Sequence, residues 1–277
     1  MNSVPPTPTV DDVDKLPDTG HLWILEQVVG APLRFRLRES GVIQFGDADR
    51  LYDRPDELPS QYRHAVRYIQ TRLDRDALRA AVDDVDKIVF IGEALQYQGL
   101  DYDWERTPSF VGSDIWSADS EAFRPPDAVD GIFRRLGLDP VNALEQEIRA
   151  RDFQPETYSI PQSAWYDGPA AGVVIRDKQG FRTTLSHPDL REIEPTMPAE
   201  TTADELAAHY GSRQRFQSLV DRLTEQGQPV TVDTLYERTL DAIRRELHPQ
   251  PFEKSDLDHG VFRSEIAARA RRFLNEQ

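Results

Sequence analysis

The spacing of apolar residues changes once along this chain, and that change constrains the fold more than any other feature. Up to about residue 195, short apolar or alternating runs are separated by turn residues. From about residue 200, apolar residues recur at roughly i, i+3, i+4 and i+7. In the first region Leu33–Leu37 reads Leu-Arg-Phe-Arg-Leu, the period-two pattern of a half-buried strand, and after Glu39–Gly41 the run Val42–Phe45 closes a hairpin. His21–Glu26, Ile88–Ile91 and Ser109–Trp116 predict further strands, and Ala171–Leu185 predicts a strand, a turn at Asp177–Gly180 and a return strand. Residues 60–83 carry Val66, Ile69, Leu73 and Leu78 at helical spacing, and Ala128–Leu136 and Leu144–Ala150 predict two short helices. Beyond residue 200 the segments DELAAHY, QRFQSLVDRLTEQ, VDTLYERTLDAIRREL and VFRSEIAARARRFLNE predict helices alone, with Thr201 or Thr202 and Thr231 as N-caps. The expectation is an α+β chain with a loose, proline-rich arm at 1–18, an antiparallel-sheet domain at 19–195 and a small all-helical domain at 200–277.

Charge narrows the setting. The 277 residues include 49 acidic and 33 basic ones, a net −16, and only Lys15, Lys87, Lys178 and Lys254 among the basic residues are lysines. An acidic, lysine-poor surface without cysteine fits a high-salt cytosol, where screening removes the self-repulsion of such a charge; the chain reads as halophilic. The same charge counts against non-specific nucleic-acid binding but leaves room for a local arginine groove. No stretch approaches the roughly 18 apolar residues of a membrane span, and the first residues lack the basic and apolar parts of a signal peptide, so the expectation is a cytoplasmic protein. The six histidines are scattered without ligand spacing, so no histidine-based metal site is expected.

Four pieces carry a pattern in order. They are Leu25-Glu26-Gln27-Val28-Val29-Gly30, Phe90-Ile91-Gly92-Glu93, Ser109-Phe110-Val111-Gly112-Ser113-Asp114-Ile115-Trp116, and Ala171-Gly172-Val173-Val174-Ile175-Arg176 with Arg182-Thr183-Thr184-Leu185. Together they resemble the motifs of the covalent nucleotidyltransferases, most closely the RNA ligase family, over roughly residues 20–190. The first resembles that family's Glu-Lys-x-Asp-Gly and the fourth its Glu-Gly-Val-Val-Ile-Arg followed by basic-x-Lys. The resemblance implies an antiparallel-sheet nucleotidyltransferase (ATP-grasp-like ligase) domain, ATP with Mg2+ as cofactor, and RNA ends as substrate. It also implies a lysine that attacks the α-phosphate, a carboxylate that helps hold the metal, and lysines that neutralise phosphates. By the same resemblance Glu93 receives the ribose, Phe110 stacks on the purine, and Gly30 and Gly172 keep the backbone close to the nucleotide.

The reactive positions depart from that pattern. Gln27 stands where the nucleophilic lysine belongs, Val29 replaces the aspartate, Ala171 the metal-side glutamate and Thr184 the phosphate lysine. An amide nitrogen has no amine-like lone pair, so Gln27 cannot form the phosphoramidate. Two functions follow: an RNA ligase relative that is a pseudoenzyme for adenylation, or a non-catalytic module that binds nucleotide or an RNA end, or that pairs with an active ligase. Restoring all four residues is the expected minimum for adenylation, because groups of one catalytic unit are strongly non-additive. Read by themselves, Glu93 and Asp114 fit surface carboxylates at strand ends and Phe110 fits plain core. Tyr97, Tyr102, Trp104, Trp165 and Tyr166 fit either a base-binding wall or, more commonly, a cover for a sheet face. Arg34, Arg36 and Arg38 face either phosphates or solvent.

Overall fold

In a computed structural model that describes residues 16–54, 57–188, 202–247 and 258–276, the alternating segments of the first region become two sheets. The strands are β1 (His21–Glu26), β2 (Ala31–Leu37), β3 (Ile43–Gly46), β4 (Ile88–Ala94), β5 (Phe110–Ser117), β6 (Ala122–Phe123), β7 (Asp139–Pro140), β8 (Ala143–Arg149), β9 (Gly172–Arg176) and β10 (Arg182–Ser186). One sheet has the order β10-β9-β1-β8, the other β3-β2-β4-β5-β6, with β7 running parallel beside β5; the remaining pairs are antiparallel. The chain divides into two compact units, residues 1–193 and 194–277. Residues 1–15 of the expected arm, Lys15, Thr201 and Lys254 lie outside the described residues.

Two expectations are corrected. Residues 60–83 form two helices, α1 (Arg63–Arg72) and α2 (Arg75–Ala81), because Leu73 turns extended and the Asp74 side chain accepts from the Ala77 backbone N–H at 2.8 Å, starting a new helix. The helix expected at Leu144–Ala150 is strand β8. Leu144 and Ile148, four apart, share a face in either geometry, and antiparallel pairing with β1 decides for the strand. Two bulges accommodate the extra residues, with Glu147 at φ 57 and its carboxylate held by the Trp23 indole at 3.2 Å and by Lys178 at 2.6 Å.

The largest core lies on one side of the second sheet, where α1, α2 and α3 (Pro126–Arg135) contribute Ile69, Leu78 and Phe133 to pack with Phe35, Phe90 and Phe110. The Phe35 and Phe90 rings stack at 4.9 Å between centroids, and Phe110 meets Phe35 edge-on at 5.7 Å. In the second unit α4 (Ala203–Tyr210), α5 (Arg213–Glu225), α6 (Val232–Glu246) and α7 (His259–Asn275) bury Phe216, Leu235, Ile243, Phe262 and Ile266. Thr202 and Glu205 form a reciprocal capping box on α4, and Thr231 caps α6. Among the described residues no helix is long and apolar enough to cross a membrane.

Candidate functional site

The two sheets of the first unit leave between them a cleft of about 370 Å3. Its first wall comes from β9 and β10, whose register pairs Arg182 with Arg176, Thr184 with Val174 and Ser186 with Gly172. The alternation of a strand therefore aims Arg182 and Thr184 into the same space. Gln27 follows β1 and completes this wall: its N–H donates to the Gly172 carbonyl at 2.9 Å, and the Ser186 hydroxyl donates to its Oε1 at 3.5 Å. A Cβ on Gly172 would lie 2.1 Å from Gln27 Oε1, so the glycine makes room for the amide. The second wall carries Glu93 on β4 and Ser113 and Asp114 on β5, where a bulge between Ile91 and Gly92 breaks the register and lets both β5 residues reach the cleft.

Three carboxylates stand here in different electrostatic states. Glu26, 2% exposed, accepts from the Ser163 hydroxyl at 2.6 Å, the Ala164 N–H at 3.1 Å and the Asn142 amide at 3.1 Å. Asp114 is shared by two guanidiniums, Arg176 at 2.9 Å and Arg182; Arg176 also donates to the Ser113 carbonyl at 2.9 Å, and burial pulls its pKa below the ordinary value. Glu93 makes no hydrogen bond or ion pair among the described residues, and burial pushes its carboxyl up to about 8.

Beside the cleft lies an aromatic corner. Val29 and Ala171 pack with Leu100, Tyr102, Trp165 and Tyr166, and the Val29 N–H donates to the Tyr102 hydroxyl at 2.7 Å. The structure thus brings Gln27, Glu93 and Thr184 together at the cleft and sets Gly172 beneath Gln27, while the positions of Val29 and Ala171 belong to an apolar cluster.

Solved structures share this architecture. A Naegleria gruberi RNA ligase mutant with ATP and Mn superposes with a TM-score of 0.52 at 12% identity, covering 68% of this chain and 57% of that one. The same ligase with pyrophosphate gives 0.51 at 14%, covering 68% and 56%. An archaeal ATP-dependent RNA ligase gives 0.51 at 15%, covering 99% of this chain and 65% of its own. This chain has the RNA ligase fold. It spans between 56% and 65% of the length of these ligase structures. No protein-family model matches the chain, and no curated protein matches it.

Within this ligase fold two expected site residues lie elsewhere. Phe110 is fully buried on the helix-covered side of the second sheet, between Phe35 and Phe133, and does not reach the cleft to stack on a base. Truncating such a packed ring is expected to cost about 3–5 kcal/mol. Gly30 faces the Ala94 carbonyl, which a Cβ would approach to 2.7 Å, so it serves the close passage of two backbones. Arg34, Arg36 and Arg38 bond the Asp47 carbonyl, Gln44 and Asp86 respectively, away from the cleft. Glu26, Arg176 and Arg182 are site residues that the sequence alone does not single out, and Asp114, which by sequence fits a surface carboxylate, is buried at 4% exposure. Their signal is a charge placed inside an otherwise apolar strand, as in GVVIR.

A divalent metal does not fit this arrangement. Among the described residues no group of three or more His, Asp or Glu is placed to hold one. Glu26 is saturated by donors, Asp114 is taken by two arginines, and the positions of Val29 and Ala171 offer no oxygen ligand.

The Glu93 carboxyl has a measurable consequence. Unfolded, it ionises near 4.5, whereas folded it keeps its proton to about 8. Its contribution to stability is therefore full below pH 4.5 and is lost as the pH rises through 8. In Glu93→Gln this loss should vanish, so the variant gains about 1–2 kcal/mol on the wild type between pH 5 and 8.5, allowing for water in the cleft. Parallel urea-unfolding curves across that range for the two proteins would contradict the assignment.

Proposed function

We propose that this chain is a non-catalytic relative of the RNA ligases that binds an adenine nucleotide in the cleft between its two sheets without forming a lysyl-adenylate. The observation that carries this reading is the absence of an amine where the chemistry needs one. Gln27 occupies the nucleophile's position, and among the described residues no lysine lines the cleft. Lys87 is paired with Asp119 at 2.7 Å and with Asp84, and Lys178 with Glu147 and Asp127, in ion pairs at 2.6 and 2.9 Å. Without a nucleophile the phosphoryl bond stays intact, and what the cleft can do is hold and release. The remaining polar groups suit that task. Gln27, Thr184 and Ser186 offer neutral donors and acceptors, Arg182 a charged one, and Glu93 a carboxyl that donates a hydrogen bond while protonated. The ATP of the Naegleria ligase structure supports the choice of nucleotide.

The test is to fill the cleft. Val174 lies on its first wall between Gly172 and Arg176, and tryptophan there would occupy space that a nucleotide needs. Anisotropy of a fluorescent adenine nucleotide should show binding to the wild type and a loss of more than tenfold in Val174→Trp, with an unchanged far-ultraviolet circular dichroism spectrum. Equal binding by both proteins would place the nucleotide elsewhere and end this reading.

A further inference from the structure

We infer that the cleft takes a nucleotide carrying one phosphate, that Arg182 receives this phosphate, and that no divalent metal takes part. The inference rests on the nucleotide-binding reading above and adds how the charge is met. Asp114 is one negative charge shared by two guanidiniums, so the cluster of Asp114, Arg176 and Arg182 keeps one net positive charge. Arg176 is spent internally, its side chain 5% exposed and bonded to the Ser113 and Arg124 carbonyls as well as Asp114. Both arginines line the cleft, and Arg182, 16% exposed and lying over the Phe123 ring, is the more accessible of the two. On the same face of β10 follow Thr184 and Ser186, and the Gln27 amide lies beside Ser186, so the charged donor continues into neutral ones.

A phosphate monoester brings about −1.5 to −2 charges. Arg182 and the neutral donors can meet that load. A triphosphate adds two more charged groups, and in a partly enclosed cleft each unbalanced charge close to another of the same sign is repelled far more strongly than in water. In a metal-dependent site the cation removes that repulsion. Among the described residues no three acidic or histidine side chains are gathered to bring a cation in. Of the three carboxylates that line the cleft, Glu26 has three donors on it, Asp114 has two arginines, and burial favours the protonated form of Glu93. The corner formed by Val29 and Ala171 is packed with aromatic rings. A nucleoside monophosphate and the phosphorylated end of an RNA present the same group to Arg182.

Calorimetry on the full chain at one fixed salt concentration tests this with AMP and ATP, each in EDTA and in Mg2+ or Mn2+. AMP should bind in EDTA, metal should change its Kd by less than twofold, and ATP should bind no tighter than AMP. Arg182→Gln should weaken AMP at least tenfold and adenosine less than threefold, and Arg182→Lys should recover part of the loss. Asp114 keeps Arg176 as a partner in both variants, and circular dichroism checks that they fold. A short RNA with and without a 5′-phosphate separates the sources: a phosphate-dependent gain in affinity assigns the RNA end, equal weak binding assigns the free nucleotide. ATP that binds tenfold or more tighter with metal overturns this inference while leaving the nucleotide reading intact. Equal losses of AMP and adenosine in Arg182→Gln overturn it as well, because the arginine would then act on the fold. No binding of either nucleotide under any condition ends both.

Discussion

Replacing Asp114 with alanine is expected to lower the unfolding free energy by about 3–5 kcal/mol, the cost of breaking a buried ion pair by removing one partner. The substitution strands Arg176, with 5% of its side chain exposed, without its carboxylate, and removes the same partner from Arg182, 16% exposed at the cleft. The loss should be much larger than for an exposed pair such as Arg54–Glu57, where removing the acid costs about 0–1 kcal/mol. Asp114→Ala combined with Arg176→Leu should recover part of the deficit, because one of the two stranded charges is gone. Urea midpoints at constant slope measure all three proteins. A loss below about 1 kcal/mol for Asp114→Ala would mean that Arg176 reaches water and that its ion pair with Asp114 is not buried.

The second large effect concerns repair. From the motifs alone, Gln27→Lys, Val29→Asp, Ala171→Glu and Thr184→Lys together are the minimum that restores adenylation. The structure changes that expectation. Gln27 and Thr184 line the cleft, so a lysine there can extend into open space, but Ala171 packs with Val29 among Leu100, Tyr102, Trp165 and Tyr166. A carboxylate pushed into this corner loses its water and finds no cation, a cost of several kcal/mol. The fourfold variant is therefore expected to lose about 10 °C or more in thermal midpoint and to gain no adenylate. Gln27→Lys with Thr184→Lys alone should stay within a few degrees of the wild type. A fourfold variant with an unchanged midpoint and an adenylate on the lysine introduced by Gln27→Lys would show that the aromatic corner opens easily and that only the reactive residues were lost.

These two cases mark where the sequence was legible. The hairpin of β9 and β10 could be read because its signals are local: an apolar run, the Asp177–Gly180 turn, and Asp177 Oδ1 accepting from the Gln179 and Phe181 N–H groups. The cap at Thr231 could be read for the same reason, since a cap needs only the first turn of its helix. Strand β8 could not, because Ala143–Arg149 is rich in helix formers and only its pairing with β1, more than a hundred residues earlier in the chain, holds it extended. The cluster at the cleft floor was hidden in the same way: Asp114 meets arginines 62 and 68 positions away, and nothing local tells a buried carboxylate from one at a strand end. Phe110 is the converse case. A motif position suggested a ligand contact, but strand alternation sends Phe110 to the helix-covered face beside Phe35.

Whether the cleft holds its ligand without covalent chemistry is read by intact-mass spectrometry. The full chain would be incubated with excess ATP and Mn2+ or Mg2+, across pH 6–9 and from dilute to molar potassium chloride, then denatured and weighed. One species at the unmodified mass is expected under every condition, because Gln27 offers no amine and Lys87 and Lys178 are paired elsewhere. A stoichiometric species heavier by one adenylate, mapped to a lysine of this chain, would contradict it.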